Sequence, residues 1–316
     1  MRRVSVGVVA VLGIAVPLLG ACGGTDDAQA RAGTVPVVTS TNVYGDIVKR
    51  VGGDRVSVTS IISDPEQDPH SYQASTKTQL ALSRAKVVVE NGGGYDDFVD
   101  TMLKSADTGV KPVNAVQVSG KTAPAGGEHG GTSRERSASG GEHVWYDFPS
   151  MDRLARKIAA ELGAADPKHA KTFTANAKAF GDDLAGLEKA TARLKKDHAG
   201  DGVAITEPVP GYLLDAVGLR DRTPEAFSEA IEEGDDVPPR ALQETLGLFG
   251  GSGKVAALVY NAQATGAQTE QVRKAARSGG VPVVPVTETL PAGKTYVSWM
   301  RGNVDALGAA LDKGGK

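Results

Sequence analysis

A single cysteine, Cys22, stands in 316 residues, so no disulfide can form within the chain. Aromatic residues make up only 5 %, and the 35 Lys and Arg are outnumbered by 38 Asp and Glu, giving a formal net charge of −3. There is no basic run, and no interleaving of basic with aromatic residues, of the kind that neutralises phosphates and stacks on bases; nucleic acid is excluded as a partner. The longest apolar run, Val4 to Leu19, falls short of the roughly 20 residues a helix needs to cross the hydrocarbon core. No H-E-x-x-H helix is present, and the glycine runs Gly92–Gly94 and Gly250-Gly251-Ser252-Gly253 lack the G-x-x-x-x-G-K-[ST] pattern, so they read as turns rather than phosphate cradles.

Where the chain does have an apolar run, its setting is informative. Arg2 and Arg3 precede it, and the small residues Gly20 and Ala21 follow it. Charged start, short apolar centre and small-residue end describe a signal peptide over residues 1–21 rather than a membrane anchor. Leu19-Gly20-Ala21-Cys22 looks like a bacterial lipobox, which would make Cys22 the lipid attachment site of an exported protein held at the outer face of the cell membrane. The small, polar segment 22–34 suits a flexible tether.

About 280 residues remain, enough for two domains with cores of their own. Short β-branched runs at Val35–Thr39, Val56–Ile62, Lys86–Glu90 and Val113–Val118 read as strands, with helices at Val43–Val51, Thr76–Ser83 and Asp96–Ser105. The same alternation returns with strands at Val203–Thr206, Val255–Tyr260 and Val281–Val286, and helices at Gly211–Val217, Pro238–Leu248, Gln268–Ser278 and Tyr296–Leu311. This is an α/β chain of two lobes, each a mostly parallel sheet flanked by helices. Between them Phe173, Ala177, Phe180, Leu184, Leu187, Thr191 and Leu194 recur in steps of three and four, placing one apolar stripe along a helix over residues 168–197, about 45 Å long at 1.5 Å per residue. The expected division is an N-terminal lobe over 35–148, a helical linker region over 149–199 and a C-terminal lobe over 200–316, the long helix acting as a rigid link. Residues 119–142 are rich in Gly, Ser and Ala without apolar period, and are expected to be a mobile loop; its interior His129 reads as a solvated side chain rather than a ligand.

Two of the five histidines stand at strand-to-loop ends. His70 lies in Asp68-Pro69-His70-Ser71-Tyr72, and His143 lies in His143-Val144-Trp145-Tyr146-Asp147, where the loop rejoins the fold. Ligands of open α/β sheets gather at such ends. His169 and His198, at the two ends of the long helix, read as ordinary surface histidines. In the second lobe Glu207 follows one strand and Glu288, in Thr287-Glu288-Thr289, follows another. Facing carboxylates repel unless a proton or cation lies between them. Two imidazoles with two carboxylates would complete a shell for a first-row divalent ion, although the four are scattered over more than 200 residues and spacing alone proves nothing.

Across nearly the whole mature length the chain resembles the zinc/manganese solute-binding lipoproteins of bacterial ABC importers. Asp68-Pro69-His70-Ser71-Tyr72 looks like the first histidine motif of that family, and His143-Val144-Trp145-Tyr146-Asp147 like its His-x-Trp motif. Thr206-Glu207 with Gly211-Tyr212-Leu213 and Gly218-Leu219 resembles the third-ligand segment, and Thr287-Glu288-Thr289 with Tyr296, Met300 and Asn303 the last. The resemblance implies His70, His143, Glu207 and Glu288 as ligands of one transported Zn²⁺ or Mn²⁺, a membrane permease as partner, a monomer, and no catalysis. Zinc-type members carry histidine where Glu207 stands, and often a histidine-rich loop where this chain has only His129, so the set leans to Mn²⁺; the last ligand is usually aspartate, and Glu288 is one methylene longer. Asn261, Gln263 and Tyr296 are candidates for holding those ligands in place. A surface adhesin is the alternative, to be distinguished by partner binding independent of metal. A metal-dependent hydrolase would need an open coordination position and a general base, and no spare constellation supplies them.

Overall fold

A computed structural model describes residues 33–64, 67, 72, 75–121 and 141–314. The readings placed on the leader, the tether, Cys22, His70, His129 and most of the expected loop lie outside the described residues.

The first lobe runs β1 (Val35–Thr41), α1 (Asn42–Gly52), β2 (Val56–Ile62), α2 (Thr76–Arg84), β3 (Val87–Glu90), α3 (Phe98–Ala106), β4 (Val113–Asn114), α4 (Ala115–Ser119) and α5 (Phe148–Ala165). Its strands pair in parallel in the order β2-β1-β3-β4. After α6 (Ala170–His198) the second lobe runs β5 (Gly202–Ile205), α7 (Gly211–Val217), β6 (Arg220–Asp221), α8 (Glu225–Glu232), α9 (Pro239–Gly247), β7 (Ala257–Asn261), α10 (Ala267–Ser278), β8 (Val283–Val286) and α11 (Tyr296–Gly314). Its sheet is again parallel, in the order β6-β5-β7-β8. β3 and β7 are buried along their whole lengths, as expected for interior strands covered by helices on both faces.

The linking helix has the predicted stripe: Phe173, Ala177, Phe180, Leu184, Leu187 and Thr191 are its buried residues, with Leu194 packed against the same core. That core is continuous from Val35 in the first lobe, through α6, to Leu311 in the second. Polar straps tie the lobes as well. Asn42 Nδ2 donates to the Leu290 carbonyl and Asn42 Oδ1 accepts from the Leu290 amide, both at 2.9 Å. Asp46 accepts from the Tyr296 amide at 2.8 Å, and the Tyr146 hydroxyl donates to the Thr287 carbonyl at 2.8 Å. Among the described residues no helix is long and apolar enough to cross a membrane.

The strand expected over Val113–Val118 is a correction. Only Val113–Asn114 pair in the sheet, and Ala115–Ser119 form a short helix. The Asn114 side chain accepts from the Gln117 amide at 2.9 Å, so a local cap overrides the β-branched composition. α8 and the two-residue strand β6 were not expected, while α5 lies in the stretch expected to be helical and buries Met151, Leu154, Ile158 and Leu162 along one face.

Candidate metal centre

In the second lobe β7 lies between β5 and β8, and all three run parallel, so their carboxyl ends emerge side by side at one edge. Glu207 comes two residues after β5, Asn261 ends β7, and Glu288 comes two residues after β8. The order of strands therefore sets Asn261 between the two carboxylates. Its Nδ2 donates to Glu288 Oε1 at 2.8 Å and also to Glu207 Oε2. One neutral amide thus holds two carboxylates at a common point, Glu207 being 4 % exposed. Asn261 is itself fixed: its amide donates to Thr206 Oγ1 at 2.9 Å, and its Oδ1 accepts from the Gln263 amide at 3.0 Å. Gln263 holds the Glu288 turn through its backbone, Oε1 accepting from the amides of Glu288 and Thr289 at 2.6 and 3.0 Å.

The first lobe supplies the opposite wall. Gly92, Gly93 and Gly94 all have positive φ, and a Cβ at Gly92 would lie 2.0 Å from Asn114 Nδ2, so this turn requires glycine. It is clamped by Asp96, whose carboxylate accepts from the amides of Asn91 and Gly92 at 2.6 and 2.7 Å. The turn delivers Tyr95, whose hydroxyl donates across the cleft to Glu288 Oε2 at 3.3 Å. Burial, and then the neighbouring Glu288 charge, push the Tyr95 hydroxyl well above the ordinary tyrosine range, so it stays a donor.

His143 is 1 % exposed and sits in an aromatic box, its ring edge-on to Trp145 at 5.0 Å and to Tyr95 at 6.0 Å between centroids. The backbone just before it is held from both lobes: Asn91 Nδ2 donates to the Glu142 carbonyl at 2.8 Å, and the Tyr212 hydroxyl to the Gly141 carbonyl at 3.3 Å. Tyr296, fully buried, donates its hydroxyl to the Trp145 carbonyl at 2.5 Å, which fixes the segment just after His143. Of the predicted residues, then, the fold gathers Glu207, Glu288, Asn261 and Gln263 at one sheet edge, and it sets the His143 ring against Tyr95, which bonds Glu288, while the carboxylates within 4.8 Å of a His143 ring nitrogen are those of Glu142 and Glu232. His169 and His198 stand far along the chain in local pairs, with Asp166 at 2.6 Å and with Asp201 at 3.0 Å.

Two acidic residues at the site were not singled out from sequence. Glu142 and Glu232 each place a carboxylate oxygen, together with a ring nitrogen of His143, within 4.8 Å of one another. Burial pushes the Glu232 carboxyl up to about 9, reinforced by the charges of Glu142, Glu207, Glu288 and Glu229. The available signal was Glu225, Glu229 and Glu232, spaced four and three apart on one helix face. A buried imidazole among converging carboxylates is a donor set suited to a divalent first-row cation.

The model of a protein family described as the zinc-uptake complex component A, periplasmic, matches residues 37–310. The manganese-binding lipoprotein MntA of Halalkalibacterium halodurans is 30 % identical over 169 residues, covering 53 % of this chain and 52 % of that protein, so the chain spans about half of that relative. The iron ABC transporter substrate-binding lipoprotein MtsA of Streptococcus pyogenes is 26 % identical over 95 % of this chain and 96 % of its own length. Among solved structures, a mutant of the laminin-binding adhesin Lmb from Streptococcus agalactiae superposes with a TM-score of 0.71 at 23 % identity, over 88 % of this chain and 99 % of that one, a likeness of fold alone. Members of the matched family are substrate-binding transport proteins rather than enzymes, and they serve ABC importers of zinc, manganese or iron. With two parallel-sheet lobes joined by one long helix, and a nitrogen and oxygen donor set between them, this chain belongs to the family of the periplasmic zinc-uptake component A.

Proposed function

We propose that this protein captures one divalent transition-metal ion outside the membrane and passes it to the permease of an ABC importer, with His70, His143, Glu207 and Glu288 as ligands. The observation that carries this reading is the bridge from Asn261 to both Glu207 and Glu288, facing a buried His143 from the other lobe. Two carboxylates gathered on one amide need a cation to neutralise them fully. The cargo ion would replace repulsion between Glu207 and Glu288 with attraction, while Asn261, Gln263 and Tyr95 keep both carboxylates aimed.

Mn²⁺ is the favoured cargo. Carboxylates and imidazole suit it, and bidentate carboxylates give the higher coordination number it takes. MntA is named for manganese, MtsA for iron and the family model for zinc, so the relatives leave the choice to the ligands. A continuous core through α6 and the Asn42 strap favour a small rotation between lobes, with release depending on movement of the strand-end loops when the permease docks. A monomer anchored through a lipid on Cys22, with lobes dividing near residues 148 and 200, completes the reading.

The test is metal content, by elemental analysis, of the chain reconstituted separately with Zn²⁺ and Mn²⁺, comparing wild type with Glu207→Ala. One equivalent in the wild type and none retained by the variant is expected, with Mn²⁺ surviving dialysis. Absence of stoichiometric metal in the wild type would sink the site assignment and favour the adhesin reading, which demands partner binding without metal.

A further inference from the structure

We infer that the Glu288 side chain is the gate of the site, and that the Tyr95 hydroxyl is the latch that sets how fast this gate opens. The inference rests on the metal-capture reading and adds to it the moving part.

The two halves of the latch differ in freedom. In the first lobe Tyr95 is 1 % exposed, and its ring packs on Trp145 at 4.8 Å between centroids. The turn before it is braced: Asp96 accepts from the amides of Asn91 and Gly92, Asn91 Nδ2 donates to the Gly92 carbonyl at 2.8 Å, and the Tyr44 hydroxyl donates to Asn91 Oδ1. The Tyr95 hydroxyl is therefore presented from a fixed point. The backbone around Glu288 is fixed as well, from both lobes. The Tyr146 hydroxyl donates to the Thr287 carbonyl, Asn42 bonds both backbone groups of Leu290, and Gln263 accepts from the amides of Glu288 and Thr289. The main chain cannot carry the carboxylate away without breaking all of these. The half-buried side chain can swing about its own torsions, giving up the bonds at its two oxygens, from Asn261 at 2.8 Å and from Tyr95 at 3.3 Å, while the main chain stays in place.

The Tyr95 bond has the character of a latch. Donor and acceptor come from opposite lobes, 193 positions apart. At 3.3 Å it lies at the long end of hydrogen-bond distances, enough to favour the closed rotamer and weak enough to break at each passage. It needs no ion, because both partners are protein groups, and a carboxylate oxygen that accepts one hydrogen bond keeps a lone pair for the cargo. Tyr95 therefore acts on the gate in the loaded and the unloaded protein alike. A contact that stabilises the closed gate equally in both slows entry and exit by the same factor and shifts affinity little. Loss of a ligand or of an orienting group raises release alone.

The experiment follows Mn²⁺ and Zn²⁺ by stopped flow for the full chain in detergent. Release is read into excess fluorescent chelator, and Kd by competition with the same chelator. It compares wild type, Tyr95→Phe and Asn42→Ala. Tyr95→Phe keeps the ring against Trp145 and removes the hydroxyl, whereas Asn42→Ala loosens the lobes and leaves Tyr95 and Glu288 intact. Expected in Tyr95→Phe are association and release rates both raised about three- to tenfold, the worth of one net hydrogen bond, with Kd within about threefold of wild type. Circular dichroism should be unchanged. Asn42→Ala should keep both rates within about twofold of wild type, since it touches neither partner of the latch. Faster release with unaltered association in Tyr95→Phe would overturn the inference and make Tyr95 an orienting group only. Wild-type rates in Tyr95→Phe with raised rates in Asn42→Ala would also overturn it, placing the gate between the lobes. In both cases the ion still binds and the capture reading stands. A wild type that binds neither Mn²⁺ nor Zn²⁺ would remove both readings together.

Discussion

Replacing Asn261 by leucine keeps the side-chain volume close to native and removes the one donor shared by Glu207 and Glu288. Two charge-assisted hydrogen bonds are lost, each worth about 1.5–3 kcal/mol. The acceptor bond from the Gln263 amide to Oδ1 goes too, at about 1 kcal/mol. Their sum would reach about 4–7 kcal/mol if nothing moved. Glu288 is only half-buried, however, and can swing towards water, so a net loss of about 2–4 kcal/mol is expected for the metal-free protein. Urea denaturation in the presence of a chelator measures it directly. Binding must then draw the splayed carboxylates back together, so Mn²⁺ affinity should fall a further 10–100-fold by about the usual cost of losing an orienting partner. A metal-free variant within about 0.5 kcal/mol of wild type, a change typical of a surface site, would refute the claim that Asn261 gathers the carboxylates.

Three other perturbations test separate parts of the structure. Burial pushes the Glu90 carboxyl up to about 7, against an opposing hydrogen bond from Asn114 at 2.8 Å. The folded state therefore holds a proton that the unfolded chain has released, and stability should fall as pH rises from about 4.5 to about 7, by on the order of 3 kcal/mol, and then level off. Glu90→Gln should flatten that slope in denaturation at pH 5 and pH 8, and an unaltered slope would clear Glu90 of the effect. Asn42→Ala removes both 2.9 Å bonds to the Leu290 backbone and should cost about 2 kcal/mol in urea denaturation; a loss below about 0.5 kcal/mol would mean the strap is replaced by water. Metal affinity should weaken as pH drops below about 6.5, where imidazole protonation competes with the ion. Affinity that holds constant by titration calorimetry through that range would count against His143 and His70 as ligands.

Much of the fold was legible because it depends on local pattern. The stripe from Phe173 to Thr191 is a helix face whatever surrounds it, and the β-branched runs marked the interior strands β1, β3, β5 and β7, covered on both faces, as well as the edge strands β2 and β8. The reading failed at Val113–Val118, where the Asn114 cap outweighed composition, and at α8, whose acidic residues hide its apolar anchor Phe227. Glu207 and Glu288 were visible as polar residues at strand ends, whereas His143, expected at such an end, instead precedes a 3-10 turn over Val144–Tyr146; the motifs of all three were visible as a family pattern.

What the sequence by itself determined is the alternation of elements, the apolar spine and which polar residues sit where strands end, all consequences of periodicity within a few residues. Only the tertiary structure decided that Asn261 stands between two carboxylates, because that follows from β7 taking its place between β5 and β8. It alone decided that Tyr95 reaches Glu288 across 193 positions of chain and that Glu232 meets His143, since both depend on how two lobes dock on one core. Such contacts are set by long-range packing, and no local spacing encodes them.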